Sequence, residues 1–218
     1  MNASSLLWTA GLGLAVAMGG LFATVPLAQA APAAAENSKT TAPELHSAMR
    51  ALWHGHIVNT RAYAKAVKAG DAAAASKAAD ATVANAKEIA NAVAGFYGED
   101  AGKGMFKLLA GHWQGVKDLT DAQHANDAAA EAKAKDELNT NADAVAKFLS
   151  SANPNLPYDA VKGLMMTHIG YHEAQIQEIM AGESKAEAST WKSMQAHMNM
   201  FADALSDGIA KQFPDKAK

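Results

Sequence analysis

The sequence predicts an all-α protein, an up-down bundle of six helices built from three tandem helical hairpins. Alanine is abundant and aromatic residues make up only 6% of the chain. That composition favours closely packed helices, because alanine has the highest intrinsic helix propensity. Apolar residues recur at helical spacing. A histidine also recurs every 56 residues, at His56, His112 and His168, and a fixed interval of this length indicates an internal repeat.

The first thirty residues are typical of a secretory signal peptide. Residues 1–30 carry no charged side chain and end in Ala28-Gln29-Ala30, a small-x-small cleavage pattern. The alternative is an uncleaved membrane anchor, since the apolar run approaches a spanning length and lacks an N-terminal Lys or Arg. Pro26 favours cleavage. We therefore expect a periplasmic or secreted protein without a stable membrane span, in which residues 31–42 form a flexible linker.

The first hairpin has clear start and stop signals. Thr41 offers a hydroxyl cap, and Pro43, two residues later, is suited to the first turn of a helix. Gly70 is expected to end this helix and Asp71 to cap the next, which runs to Tyr97-Gly98. One stripe of the first helix contains His56, which therefore faces the core: Leu45, Met49, Leu52, His56, Asn59, Tyr63 and Ala66.

The second and third hairpins repeat these signals. Asn126-Asp127 and Gly182-Glu183 stand in register with Gly70-Asp71, and Asn153-Pro154-Asn155 separates the fourth and fifth helices. The sixth helix is expected to end near Phe213-Pro214. The predicted bundle domain therefore covers residues 43–214, and residues 215–218 form a short C-terminal tail.

Six polar residues are predicted to lie at one level of the bundle. Asn85, Asn141 and His197 follow the three repeated histidines by 29 residues each. The two members of each pair are equally far from the turn between them. Residues related in this way in an antiparallel hairpin share one height along the axis, because every residue rises by about 1.5 Å.

This layer predicts a transition-metal site with His56, His112, His168 and His197 as ligands. Helical bundles build metal centres from side chains that project inward from different helices, and imidazole suits zinc or copper best here. Asn85 and Asn141 would orient the histidines. His172 and Met200, each about one turn from a predicted ligand, would support the site. The simpler interpretation of His172 is a partly exposed histidine, and that of Met200 is a residue of the core.

Two other interpretations of the layer stay open. Buried polar residues can specify register and topology without binding anything. An enzymatic role is the least supported, because no nucleophile or carboxylate pair accompanies the histidines. The small net charge of -3 and the lack of a basic run argue against nucleic acid. His46, His54 and His124 are expected on the surface, and Arg61 is expected as a surface charge or an anion contact.

Four motifs stand out within the predicted bundle: Leu52-Trp53-x-x-His56, Phe96-Tyr97-Gly98, Asn141-Ala142-Asp143 and Met165-Met166-x-His168. Together they resemble a family of small, all-helical, largely uncharacterised proteins from Bacillus and related bacteria, often labelled glycosyltransferases. The resemblance covers about residues 45–214 and implies the same fold and polar layer, but no function. Asn59 stands where the family has an aromatic residue, and Gln195 where it tends to have a histidine. The glycosyltransferase label is rejected, because the chain lacks strand–helix alternation.

Overall fold

The computed structural model describes residues 42–217, and within this range the chain forms six α-helices and no strand. The all-α prediction is confirmed. The predicted signal peptide and residues 31–41 of the predicted linker lie outside the described residues. No helix within the described range is long and apolar enough to cross a membrane. The helices are α1 (Pro43–Ala69), α2 (Ala72–Tyr97), α3 (Glu99–Ala125), α4 (Ala128–Ala152), α5 (Tyr158–Ala181) and α6 (Ser184–Gln212).

The turns inside the three hairpins share one geometry. Gly70, Asn126 and Gly182 adopt left-handed backbone conformations, with φ of 69°, 56° and 76°. The next residue's amide then donates to a carbonyl five residues back, a common helix C-terminal motif. Asp71 and Asp127 cap the following helices by accepting from backbone amides. These short turns make consecutive helices antiparallel.

The packing order separates inner helices from outer ones. Each helix packs against the next in the chain, and α1 also packs against α6. In addition, α1, α3 and α5 contact one another. These three run in the same direction and form an inner triangle, while α2, α4 and α6 pack around it. Whether the hairpins are copies of one repeating unit stays a prediction.

Small residues allow close approach between the helices. A Cβ atom on Gly102 of α3 would lie 2.7 Å from Ala94 Cβ and 3.0 Å from the Ala90 carbonyl oxygen of α2. Larger residues fill the centre; for example, Trp53 packs edge-on against Phe201, with ring centroids 4.9 Å apart. The many small side chains therefore allow the helices to pack closely against one another.

Candidate metal centre

His56, His112 and His168 meet at the centre of the inner triangle, one from each inner helix. Their ring centroids are 5.6 Å apart for His56–His112, 5.6 Å for His56–His168 and 5.3 Å for His112–His168. The three rings form a nearly equilateral group. The 56-residue spacing produces it, because it puts one histidine at the same height on each of three parallel helices.

His172 completes this group from the next turn of α5. Its Nε2 atom lies 3.0 Å from His168 Nε2. Its ring centroid is 5.8 Å from that of His56 and 5.7 Å from that of His112. Each of these four histidines offers a nitrogen, and the four nitrogens all lie within 4.8 Å of one another. We call these four residues the histidine cluster.

The histidine cluster is closed to solvent and incompletely hydrogen-bonded. Its four residues are only 1–2% exposed. Both ring nitrogens of His112, Nε2 of His56 and Nδ1 of His168 have no hydrogen-bond partner among residues 42–217. A buried polar atom without a partner costs free energy, on the order of 1–3 kcal/mol. Four such atoms within one group of side chains are unusual in a merely structural core.

Burial keeps these imidazoles neutral. Burial, and to a lesser extent the neighbouring His112, lowers the pKa of His56 to about 3. Burial also lowers the pKa of His112 to about 4, against a smaller opposing effect from Asn141. The pKa values of His168 and His172 are likewise held well below the usual value by burial and by the neighbouring histidines. Neutral imidazole is the form that binds metal ions.

The polar residues of the outer helices bond to the backbone of the inner helices instead of joining the histidine cluster. Asn85 Nδ2 donates to the Leu52 carbonyl oxygen at 3.0 Å, and Asn141 Nδ2 donates to that of Leu108 at 2.9 Å. His197 Nε2 donates to the carbonyl oxygen of Leu164 at 3.0 Å. The three bonds recur at 56-residue intervals, and each joins an outer helix to the inner helix before it.

His197 therefore lies beside the cluster rather than in it. Its ring stacks 6.3 Å from that of His168, and its Nε2 proton is committed to the backbone. The set of converging nitrogens differs from the predicted one, with His172 in the place of His197. The reason is that α6 is an outer helix, whereas both His168 and His172 are on inner α5.

The side-chain oxygens of Asn85 and Asn141 lie near this layer, and that of Asn141 is close enough to the His112 ring to raise its pKa slightly. Oδ1 of each is buried and lacks a hydrogen-bond partner among residues 42–217. Gly55 and Gly111 give the two amides room, because a Cβ atom there would lie 3.0 and 3.1 Å from the amide nitrogens. Both asparagines thus reach the backbone of an inner helix through a gap that glycine provides.

Two other residues depart from their predicted environments. Met200 is 57% exposed, so it lies on the outer surface of α6 and does not support the site. His46, predicted on the surface, is buried, and its Nδ1 and Nε2 atoms lie 2.9 and 3.1 Å from carboxylate oxygens of Asp203 and Asp207 on α6. His54 and His124 are exposed, as expected.

A charged network lies next to the centre, and sequence reasoning missed it. Arg61 Nε and Nη2 donate to the two oxygens of the buried Glu187 carboxylate at 2.5 and 2.7 Å. Gln175, one turn beyond His172 on α5, donates to the same carboxylate at 3.1 Å. Arg61 also stacks on Trp191, 4.4 Å from the ring centroid. Its anionic partner therefore belongs to the protein itself.

The histidine cluster matches the size of a four-coordinate metal site. A metal–nitrogen distance of about 2.0–2.1 Å places tetrahedral ligand nitrogens roughly 3.3 Å from one another. The Nε2 atoms of His168 and His172 are already 3.0 Å apart. The most separated pair of the cluster would have to approach by at most about 1.5 Å, which small rotations of imidazole rings can supply.

Comparison of the chain with known protein families, curated proteins and solved structures gives no match. The family suggested by the sequence motifs stays a prediction. Function is therefore inferred from the geometry of the histidine cluster.

Proposed function

We propose that this protein binds one transition-metal ion, such as zinc or copper, with His56, His112, His168 and His172. The observation that carries the proposal is the convergence of four buried, neutral imidazoles whose donor nitrogens lie within 4.8 Å. Three of these residues have nitrogens without a hydrogen-bond partner in the described part of the chain. A bound cation would satisfy several of them at once.

The role that follows is storage, buffering, sensing or delivery of the metal. Four protein ligands in a closed site leave no open position for a substrate, which is the pattern of non-catalytic metal sites. The proposed setting is the periplasm or the cell exterior, on the basis of the N-terminal sequence. Sequencing the N-terminus of the exported protein tests this, with Ala31 expected as its first residue.

A purely structural polar layer is the second candidate. The recurring bonds from Asn85, Asn141 and His197 to inner-helix carbonyls favour it, because they tie each hairpin at one height. These bonds account for the outer residues. They do not account for the unpartnered nitrogens of the inner histidines.

Metal uptake by the untagged protein tests the proposal. After treatment with a chelator, the protein is incubated with zinc or copper and passed through a desalting column, and bound metal is measured by elemental analysis. We expect about one equivalent per chain and a higher melting temperature. At a free metal concentration of 100 times Kd, the stabilisation is about 2.7 kcal/mol.

Two histidine variants make the test specific. His112→Ala is expected to abolish uptake, whereas His54→Ala, a change at an exposed histidine of α1, is expected to leave it intact. Circular dichroism verifies that both variants remain helical. Equal uptake by the two variants, or no uptake by the unsubstituted protein, would contradict the proposal.

A further inference from the structure

The histidine cluster combines four neutral ligands with complete burial and no negative charge. Within residues 42–217, no carboxylate joins the group of converging donor atoms. We propose that the centre selects monovalent copper, Cu(I), over zinc and other divalent ions. This inference rests on the metal-binding function proposed above and names the ion.

The charge of the ion decides the selection. A cation in this centre leaves water and receives only neutral ligands, so its whole charge is retained in the protein interior. The free-energy cost of such a transfer grows with the square of the charge, so it is about four times larger for a divalent ion than for a monovalent ion of similar size. The ligands are 1–2% exposed, which leaves little solvent to screen the charge.

The neighbouring charges do not compensate a divalent ion. Within residues 42–217, Glu187 is the one acidic residue that is buried, and Arg61 pairs with both of its carboxylate oxygens. Lys65 lies 3.6 Å from it as well, and Gln175 donates a third hydrogen bond. One carboxylate thus faces two cations. The network as a whole adds positive charge and leaves no counter-charge for the metal.

Coordination geometry does not oppose Cu(I). Cu(I) and Zn(II) both have filled d shells and accept tetrahedral coordination by imidazole. Cu(II) instead prefers tetragonal coordination. A cluster drawn from two turns of α5 and one turn each of α1 and α3 is three-dimensional rather than planar. Geometry therefore admits Cu(I) and Zn(II) alike, and charge separates them.

Competition for each ion in the absence of oxygen tests the inference. The untagged, metal-free protein is titrated against a chromogenic Cu(I) chelator and, separately, against a Zn(II) chelator of known affinity. Because burying the smaller charge costs less, we expect Cu(I) to bind at least about 100-fold more tightly than Zn(II). Zinc binding as tight as or tighter than Cu(I) binding would overturn the inference and leave the metal-binding function standing. Binding of neither ion would overturn both.

A matched pair of variants isolates the role of charge. His172→Asp places one negative charge at a ligand position, and His172→Asn places a neutral group of the same shape there. We expect the aspartate variant to shift the preference towards Zn(II) by at least about tenfold relative to the asparagine variant. An equal preference in the two variants would overturn the charge argument. If neither variant folds, the comparison of the two ions on the unsubstituted protein decides alone.

Discussion

At the scale of single residues, the hydrogen-bond partner of each imidazole decides what that imidazole can do. His197 has its Nε2 proton fixed by the Leu164 carbonyl oxygen, as the two asparagines have theirs fixed by Leu52 and Leu108. His112 has no such partner within the described residues. The sequence spacing puts all these residues at one height along the bundle. They differ in chemistry because some donate a hydrogen bond to a backbone carbonyl and others do not.

Alanine substitutions at His172 and His197 distinguish these roles. We expect His172→Ala to weaken metal binding by more than the roughly 10- to 100-fold that loss of a supporting residue costs. His197→Ala is expected to keep most of the affinity and to lower the free energy of unfolding by about 1 kcal/mol, because it removes the bond to Leu164. Metal competition titrations and urea unfolding measure the two effects. A large loss of metal affinity in His197→Ala together with a small loss in His172→Ala would instead identify His197 as the fourth ligand.

The helical periodicity of α5 indicates that His172 faces the same way as His168. Met165, His168, His172 and Ile179 follow one helical stripe, so all of them point the same way. His172 has no histidine counterpart 56 residues earlier, where Val116 stands. The repeat therefore favours His197, which has counterparts in Asn85 and Asn141. The periodicity of α5 is the better guide to which side chain is buried.

At the scale of helices, local chemistry predicts the turns inside the three hairpins. Proline at the start of α1, aspartate at the caps of α2 and α4, and glycine or asparagine at three C-termini all act through contacts within a few residues. The structure therefore agrees with the predicted turns. His46 shows the limit of such reasoning, because its partners Asp203 and Asp207 are more than 150 residues away in the chain.

Substituting alanine for two glycines inside helices should change the free energy of unfolding in opposite directions. Gly102→Ala places a Cβ atom 2.7 Å from Ala94 Cβ and 3.0 Å from a backbone oxygen of α2, so two helices must separate. We expect it to lower the free energy of unfolding by about 1–3 kcal/mol. Gly163→Ala on α5 meets nothing within 4 Å and should raise it by up to about 1 kcal/mol.

Chemical denaturation of both glycine variants measures whether the free energy of unfolding falls or rises. The unfolding midpoint should fall for Gly102→Ala and rise for Gly163→Ala, with unchanged helical content in the folded state. A stabilising effect of Gly102→Ala would mean that α2 and α3 are not held together at this close distance.

At the scale of the molecule, the site depends on which helices are inside. Counting residues from each turn predicts height along the bundle axis, because the rise per residue is constant. It does not predict distance from the axis. That second coordinate follows from the contacts among α1, α3 and α5, which depend on all six helices together. His197 and His56 lie at the same predicted height along the axis. The packing order distinguishes them, because His56 is on an inner helix and His197 is on an outer one.

The same burial makes the stability of the metal-free protein depend on pH. The pKa of His56 falls to about 3 and that of His112 to about 4 in the folded protein, chiefly through burial, whereas in the unfolded chain both are about 6.5. Below pH 6.5 the unfolded chain takes up protons that the folded protein does not, so acid favours unfolding. Each histidine contributes at most about 1.4 kcal/mol per pH unit.

We therefore expect the free energy of unfolding, measured by urea titration with a chelator present, to fall continuously from about pH 7 to about pH 5. Most carboxylates remain ionised over this range, so the slope reports on histidines. His112→Leu removes one titrating group from the histidine cluster and should make the slope shallower, whereas His54→Ala, at an exposed position, should not. A free energy of unfolding that is constant or increases as the solution is acidified over this range would mean that water reaches these four rings and that the interior tolerates positive charge. The preference for a monovalent ion would then lose its physical basis, because both effects arise from the exclusion of charge from the same buried point.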